Sequence, residues 1–210
     1  MIIAIDGPSG AGKGTVAAFL AAKYNLHKLD TGFLYRALAS KMLEQNISVA
    51  DEASIMELAR GIVLEDTHRP GLKTEIVAGL ASQIAVIPGV REIMNHLQRE
   101  FAQGKHAGYD GVILDGRDIG TVICPDAHVK IYLTASQEVR ALRRAKEESA
   151  GCTVTITKMM EERDQRDFSR ETAPLNAAKD AIIIDTSNLS IDELCQKAAY
   201  YIEKYRNQII

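Results

Sequence analysis

Apolar positions along the chain fall into two alternating patterns. Unbroken apolar runs recur at 2–5, 112–114, 129–133 and 181–184, with a weaker one at 27–30. Such runs are typical of parallel strands that are covered on both faces. Between them, apolar residues follow helical spacing at 16–23, 34–43, 55–60, 76–86, 90–101, 139–146, 158–166 and 194–205. The alternation predicts an α/β fold, a doubly wound parallel sheet of about five strands with ligands at the carboxyl ends of the strands.

Two segments interrupt this alternation. Residues 46–110 contain helical patterns and a turn-rich stretch but no convincing strand. We therefore predict a core domain of residues 1–45 and 111–210 that carries an insertion at 46–110. Residues 147–157 separate two arginine-bearing helical patterns, and we expect them to form a short lid. Ser190 and Glu193 have the spacing of a capping box, which predicts the start of the last helix.

Composition narrows the class of protein. The chain has 210 residues, 46% hydrophobic and 25% charged, enough for one sizeable core, and its net charge of −3 gives no reason to expect a nucleic-acid partner. No apolar run approaches membrane-spanning length, and the first strand begins at once, so we expect no targeting segment. We expect a cytoplasmic monomer. Cys124, Cys152 and Cys195 are far apart and are expected to be buried, without a metal or disulfide role.

A glycine-rich segment directly after the first strand is the strongest chemical signal. It consists of Gly7, Pro8, Ser9, Gly10, Ala11, Gly12, Lys13, Gly14 and Thr15. Amide groups of such a turn, together with the start of the following helix, bind phosphate, and Lys13 supplies a positive charge. The hydroxyl of the Walker A pattern is displaced by one position, to Thr15. One helical position rotates a side chain by about 100°, so we expect Thr15 to face an inner phosphate, as in small-molecule kinases.

Two other segments follow strands and open at the same edge of the predicted sheet. Thr31 and Arg36 follow the second strand, and Arg36 is placed to reach a second phosphate, although an ordinary helix start would also explain Thr31. Asp115 closes the third strand, where it would anchor Mg²⁺ through water. Arg117 and Asp118 come next and are interpreted as site residues, with a simple surface ion pair as the alternative.

Arginines flank the predicted lid. They are Arg140, Arg143 and Arg144 before it, and Arg163, Arg166 and Arg170 with Asp167 after it. Spacings of three, four and seven put the second group on one helical face, provided that the helix extends to Arg170. Guanidinium groups stabilise the charge that spreads over a phosphoryl group during transfer, whereas a solvated charged face is the alternative interpretation.

Five motifs, taken in order, resemble those of the bacterial cytidylate (CMP) kinase family, the P-loop nucleoside monophosphate kinases specific for CMP. They are GPSGAGKGT, DTGFLYR, LASQIAVIPGVR, DGRDIGTVICPDA and RDQRDFSRETAPL. The resemblance covers nearly the whole chain. It implies transfer of the γ-phosphoryl group of ATP to CMP, and to dCMP, with Mg²⁺. It also implies that the insertion binds the nucleoside monophosphate. In similar enzymes the insertion includes a small antiparallel sheet, but the piece between Gly61 and Ser82 is shorter in this chain.

The resemblance implies roles for individual residues. ATP would bind to residues 7–15, and we assign Arg143 and Arg144 to the same nucleotide. The monophosphate would contact Thr31, Tyr35, Arg36, Ser82, Arg91, Arg117, Asp118, Arg163, Asp167 and Arg170. Catalysis would depend on the cationic groups of Lys13, Arg36, Arg117, Arg163 and Arg170.

The chemistry implied by these residues needs no general base, because the phosphate of CMP is already anionic at neutral pH. Cytosine carries an exocyclic amine that a carboxylate can accept, and we assign that contact to Asp118. Two other functions stay open from the sequence. One is a kinase for UMP or for both pyrimidine monophosphates, and the other is a nucleotide-binding switch without catalysis.

Overall fold

The computed structural model of the chain describes residues 1–148 and 153–208. Residues 149–152 of the predicted lid, including Cys152, lie outside the described residues. The chain divides into two compact units, the first formed by Met1–Leu29 and Gly104–Ile210, the second by Asp30–Gln103.

The first unit is built on a five-stranded parallel sheet, as predicted. Its strands are β1 (Ile2–Asp6), β2 (Leu26–Asp30), β3 (Gly111–Gly116), β4 (Val129–Thr134) and β5 (Ile182–Asp185). Their order across the sheet is β2-β3-β1-β4-β5, so β1 is central and pairs with β3 and β4. Ile5 lies beside Asp115 and Asp6 beside Gly116, which brings the carboxyl ends of β1 and β3 to the same edge.

Among the described residues, the first unit also contains four α-helices. They are α1 (Lys13–Tyr24), α6 (Gln137–Glu148), α7 (Thr153–Ser169) and α8 (Ile191–Asn207). Apolar faces of α1 and α8 pack on the strands in one core, which includes Ile3, Ile5, Val16, Leu20, Ile131, Leu133, Leu194 and Ile202. The predicted capping box is confirmed: the Glu193 amide donates to Ser190 Oγ at 3.2 Å, and the Ser190 amide donates to Glu193 Oε2 at 2.8 Å. Helix α7 stops at Ser169, so its expected extension to Arg170 is wrong by one residue.

The second unit is helical. It contains α2 (Gly32–Glu44), α3 (Glu52–Arg60), a 3₁₀ turn (Leu64–His68), α4 (Glu75–Ile84) and α5 (Pro88–Gln103). Residues 31–103, all of which are described, contain no strand. In place of a small sheet, the shortened segment after α3 is held to α2 by charged pairs. Lys41 Nζ lies 2.7 Å from Asp66 Oδ2, and Arg69 Nη2 lies 2.7 Å from Glu44 Oε1.

None of the described helices, taken singly, is long and apolar enough to span a membrane. Helices α4 and α5 reach that length and composition only as a pair, and they are bent by 105° at the break between them.

Candidate active site

The glycine-rich loop connects β1 to α1 with a backbone that only glycine adopts readily. Gly7, Gly10 and Gly12 have φ values of +146°, +75° and +94°. A Cβ atom at Gly7 would lie 2.1 Å from the carbonyl oxygen of Leu133, so the loop packs directly on β4. Helix α1 begins at Lys13 without a side-chain cap, which leaves its N-terminus available to an anion. Lys13 Nζ donates to the carbonyl oxygen of Pro8 at 2.8 Å, so its ammonium group lies over the loop.

A buried carboxylate directly before this loop is a residue that sequence reasoning missed. Asp6 Oδ1 accepts from the Ile119 amide and Oδ2 from the Gly120 amide, both at 2.8 Å. These amides belong to a π-helical turn, Ile119–Ile123, that follows Asp118. Burial raises the pKa of Asp6 to about 6, although the hydrogen bonds from the two amides act to lower it. A polar residue that ends an apolar strand was the signal available in the sequence.

Guanidinium groups surround a second buried carboxylate, that of Asp167 on α7. Arg117 Nε lies 2.8 Å from Asp167 Oδ2, and Arg170 Nη1 lies 3.9 Å from Oδ1. Burial alone would raise the pKa of Asp167, but the charges of Arg117, Arg163 and Arg170 hold it below its usual value. The structure therefore brings together four of the residues that the sequence predicted, and Asp118 is buried next to Arg117 in the chain.

The arginines of α6 contact the phosphate loop and its surroundings. Arg143 Nη1 donates to Thr186 Oγ1 at 2.8 Å, and its Nη2 donates to the Thr186 carbonyl oxygen at 2.6 Å. Arg140 Nη1 donates to the Ser9 carbonyl oxygen at 3.1 Å. Arg144 is half-buried on the same helix. Thr186, which is fully buried after β5, had no distinguishing signal in the sequence.

Asp115 is the candidate metal anchor. Its side chain is buried at the end of β3, and its Oδ2 lies 3.6 Å from the position that a Cβ atom at Gly14 would take. The carboxylate thus lies against the backbone of the phosphate loop. Within residues 1–148 and 153–208, no three His, Cys, Asp or Glu side chains form a cluster that could hold a metal by themselves.

Five predicted site residues lie in the second unit: Thr31, Tyr35, Arg36, Ser82 and Arg91. Thr31, Ser82 and Arg91 are buried, and the other two are half-buried on α2. Arg36 Nη1 donates to the Leu72 carbonyl oxygen at 2.8 Å, and its guanidinium carbon lies 5.5 Å from the centre of the Phe33 ring. Arg91 Nη1 donates to the Ala85 carbonyl oxygen at 3.3 Å. Backbone carbonyls therefore orient both arginines.

Comparison with known proteins decides the family. A model of the cytidylate kinase family matches residues 3–204. The chain belongs to the cytidylate kinase family. A cytidylate kinase from Afipia carboxidovorans is 45% identical to it over 98% of this chain and 99% of that protein. A cytidylate kinase from Sinorhizobium medicae is 43% identical over 100% of this chain and 99% of that protein. The predicted resemblance is confirmed.

A solved structure shares the fold of this cytidylate kinase family member. It is an uncharacterized protein from Eubacterium ventriosum, with a TM-score of 0.56 and 16% identity, covering 97% of this chain and 98% of that one. Together with the parallel sheet and its strand order, this likeness agrees with the predicted α/β fold.

Proposed function

We propose that the protein transfers the γ-phosphoryl group of ATP to CMP or dCMP, giving ADP and CDP or dCDP. The observation that carries the proposal is the pairing of two features at one sheet edge. The glycine loop with Lys13 follows β1, and the guanidinium cluster around Asp167 includes Arg117, which follows the neighbouring strand β3. A nucleotide-binding switch would need the first feature but not the second.

ATP occupies the loop of residues 7–15 in this proposal. Amide groups of the loop and the N-terminus of α1 donate to its phosphates, and Lys13 neutralises the outer ones. Arg143 and Arg144 belong to the ATP side. The lid predicted at residues 147–157 excludes water in this proposal.

Mg²⁺ fits the residues at this edge. Magnesium is held in kinases by one or two carboxylates, phosphate oxygens and several waters, and the buried Asp115 carboxylate next to the loop backbone meets that requirement. Asp115 would hold the ion through water. Bound Mg²⁺ supplies charge neutralisation on the phosphates of ATP.

The acceptor nucleotide binds to residues assigned by the family resemblance. Its phosphate contacts Arg36, Arg117, Arg163 and Arg170, and the remaining contacts come from Thr31, Tyr35, Ser82, Arg91, Asp118 and Asp167. The segment 46–110 serves as the monophosphate-binding insertion. Because the acceptor oxygen is already anionic, these residues align and neutralise two phosphates for in-line transfer, and none of them must remove a proton.

A panel of acceptors tests the function. ADP formation from ATP is measured with CMP, dCMP, UMP and AMP at matched concentrations. We expect turnover with CMP and dCMP that exceeds turnover with UMP and AMP. Turnover highest with UMP would assign the enzyme to another acceptor, and the absence of ADP with all four would make it a non-catalytic nucleotide-binding protein.

The proposed enzyme works as a cytoplasmic monomer without a nucleic-acid or membrane partner. Its net charge of −3 supports the absence of a nucleic-acid partner. Sedimentation velocity with and without both nucleotides tests the oligomeric state, and a dimer under either condition would contradict it.

A further inference from the structure

Four consecutive carbonyl groups of the phosphate loop each accept a hydrogen bond from a side chain. Lys13 Nζ donates to Pro8, Arg140 Nη1 to Ser9, Arg143 Nη1 to Gly10 and Thr186 Oγ1 to Ala11, at 2.8, 3.1, 3.5 and 3.2 Å. In a trans peptide the N–H points opposite to the C=O. Each of these donors fixes the orientation of one peptide group of the loop, and with it the direction of the attached N–H.

Arg140 is the most buried of the three cationic donors. Its side chain is 8% exposed, and it contacts three parts of the first unit. Nε donates to the Ala135 carbonyl oxygen at 3.1 Å, and Nη1 donates both to the Ser9 carbonyl oxygen and to Asp164 Oδ2, the latter at 2.5 Å. A Cβ atom at Gly10 would lie 2.9 Å from the Cβ of Arg140, so the loop backbone packs directly against this arginine.

Asp164 connects this contact to the guanidinium cluster. It lies on α7, next to Arg163 and one helical turn before Asp167, and its side chain is 11% exposed. Asp164 is connected to the loop through its ion pair with Arg140, which donates to the Ser9 carbonyl oxygen. The ion pair is thus a bridge of two side chains between the phosphate loop and the helix that carries Arg163 and Asp167.

We infer that Arg140 and Asp164 are a positioning pair, which holds the phosphate loop in its ATP-binding conformation and fixes it relative to α7. Neither residue was assigned to the site by the family resemblance. A buried ion pair commonly contributes little net stability, because the loss of hydration offsets the attraction between the charges. Its directed hydrogen bonds instead select one arrangement of the loop and helix.

The test uses conservative variants and measures binding separately from turnover. Arg140→Lys keeps the charge but cannot donate to three acceptors in one plane. Asp164→Asn removes the charge of the partner without touching the loop. The double variant completes a double-mutant cycle, which measures the coupling between the two side chains. For each folded protein, calorimetry gives the Kd for ATP without CMP and the Kd for CMP without ATP, and circular dichroism verifies folding.

A matched control comes from the exposed pair Arg69 and Glu44 in the second unit, with side chains 32% and 54% exposed. Arg69→Lys and Glu44→Gln make the same chemical changes in a pair that lies outside the phosphate loop and α7. We expect both controls to leave the Kd for ATP within about twofold of wild type, as surface ion pairs contribute little.

We expect Arg140→Lys to raise the Kd for ATP by about tenfold, the size of one charged hydrogen bond. Asp164→Asn should raise it by about fivefold, and the double variant by no more than Arg140→Lys, because both changes break one bridge. The Kd for CMP should stay within about twofold of the wild-type value. This result would distinguish an effect on the phosphate loop from a general destabilisation of the protein.

The inference would be overturned if Asp164→Asn left the Kd for ATP within twofold of the wild-type value. It would also be overturned if the increase in Kd for the double variant equalled the product of the two single increases, or if the affinities for ATP and CMP fell equally. If Arg140→Lys does not fold, Asp164→Asn decides by itself. The inference rests on ATP binding to this loop, as proposed above. Wild-type protein that binds ATP but does not phosphorylate CMP would reject the proposed function while leaving this test intact.

Discussion

Asp118 is the residue that we expect to distinguish cytosine from uracil. Its carboxylate is buried directly after Arg117, and a carboxylate can accept from the exocyclic amine of cytosine but is repelled by the carbonyl oxygen that uracil has there. Asp118→Asn should lower kcat/KM for CMP by about 100-fold and for UMP by less than about tenfold. Steady-state kinetics with both acceptors measure the difference, with the exposed Asp126→Asn as control. Equal losses on both acceptors would remove Asp118 from base recognition.

Arg36 has a different predicted effect, because its role is to neutralise charge on the acceptor phosphate. Its guanidinium group is already oriented by the Leu72 carbonyl, so the wild-type side chain needs little reorganisation. Arg36→Met should lower kcat by about 10²–10³-fold and leave the Kd for ATP within about twofold. Arg60→Met, an exposed change on α3, is the matched control. Unchanged turnover in Arg36→Met would contradict the assignment.

Asp6 gives a prediction about pH. Burial raises its pKa from the usual 3.8 to about 6, so the folded protein binds this proton more tightly than the unfolded chain does. The contribution of Asp6 to the free energy of unfolding should therefore fall as pH rises from about 4 to about 6, by up to about 3 kcal/mol, and stay at its lower level above that range. Carbon NMR of the Asp6 carboxyl should show a midpoint near pH 6, whereas a midpoint near 4 would refute the effect of burial.

The capping box allows the energy of one helix start to be measured. The Ser190 hydroxyl accepts the Glu193 amide at the start of α8, whose apolar face packs in the core of the first unit. Ser190→Ala should lower the free energy of unfolding in urea by about 0.5–2 kcal/mol. Ser190→Thr retains the hydroxyl and should recover most of the loss. If both variants unfold at the same urea concentration as wild type, the cap does not contribute to stability.

Helices and strands were predictable where one local pattern determined them. All five strands follow apolar runs in the sequence, and Ser190 with Glu193 marked the start of α8. The π-helical turn after Asp118 was not predictable, since it depends on the carboxylate of Asp6, which is more than a hundred residues away in the chain. The end of α7 at Ser169 was missed by one residue because the charge spacing continues past it.

Site residues show the same division between local and long-range signals. The glycine spacing and Lys13 identified the phosphate loop, because a backbone of this shape requires glycine at fixed positions. Arg140 was recognised only as one of several arginines near the lid. Its contacts to Ser9 and Asp164 join segments that are distant in sequence, and no spacing rule reports such contacts.

The account of the whole protein requires that one chain bind two nucleotides end to end, with the γ-phosphate of ATP adjacent to the phosphate of CMP. A synthetic compound that joins adenosine and cytidine through one polyphosphate chain would occupy both positions together. Linking two binding events in one molecule raises affinity, provided that the linker spans the two positions.

Calorimetric titration of the protein with this joined compound, followed by competition with ATP and with CMP, tests the central claim directly. We predict one molecule bound per chain, a Kd at least about 100-fold below that of either nucleotide alone, and displacement of both nucleotides. Binding of two molecules per chain, or displacement of ATP while CMP stays bound, would contradict the claim that the two nucleotides lie end to end.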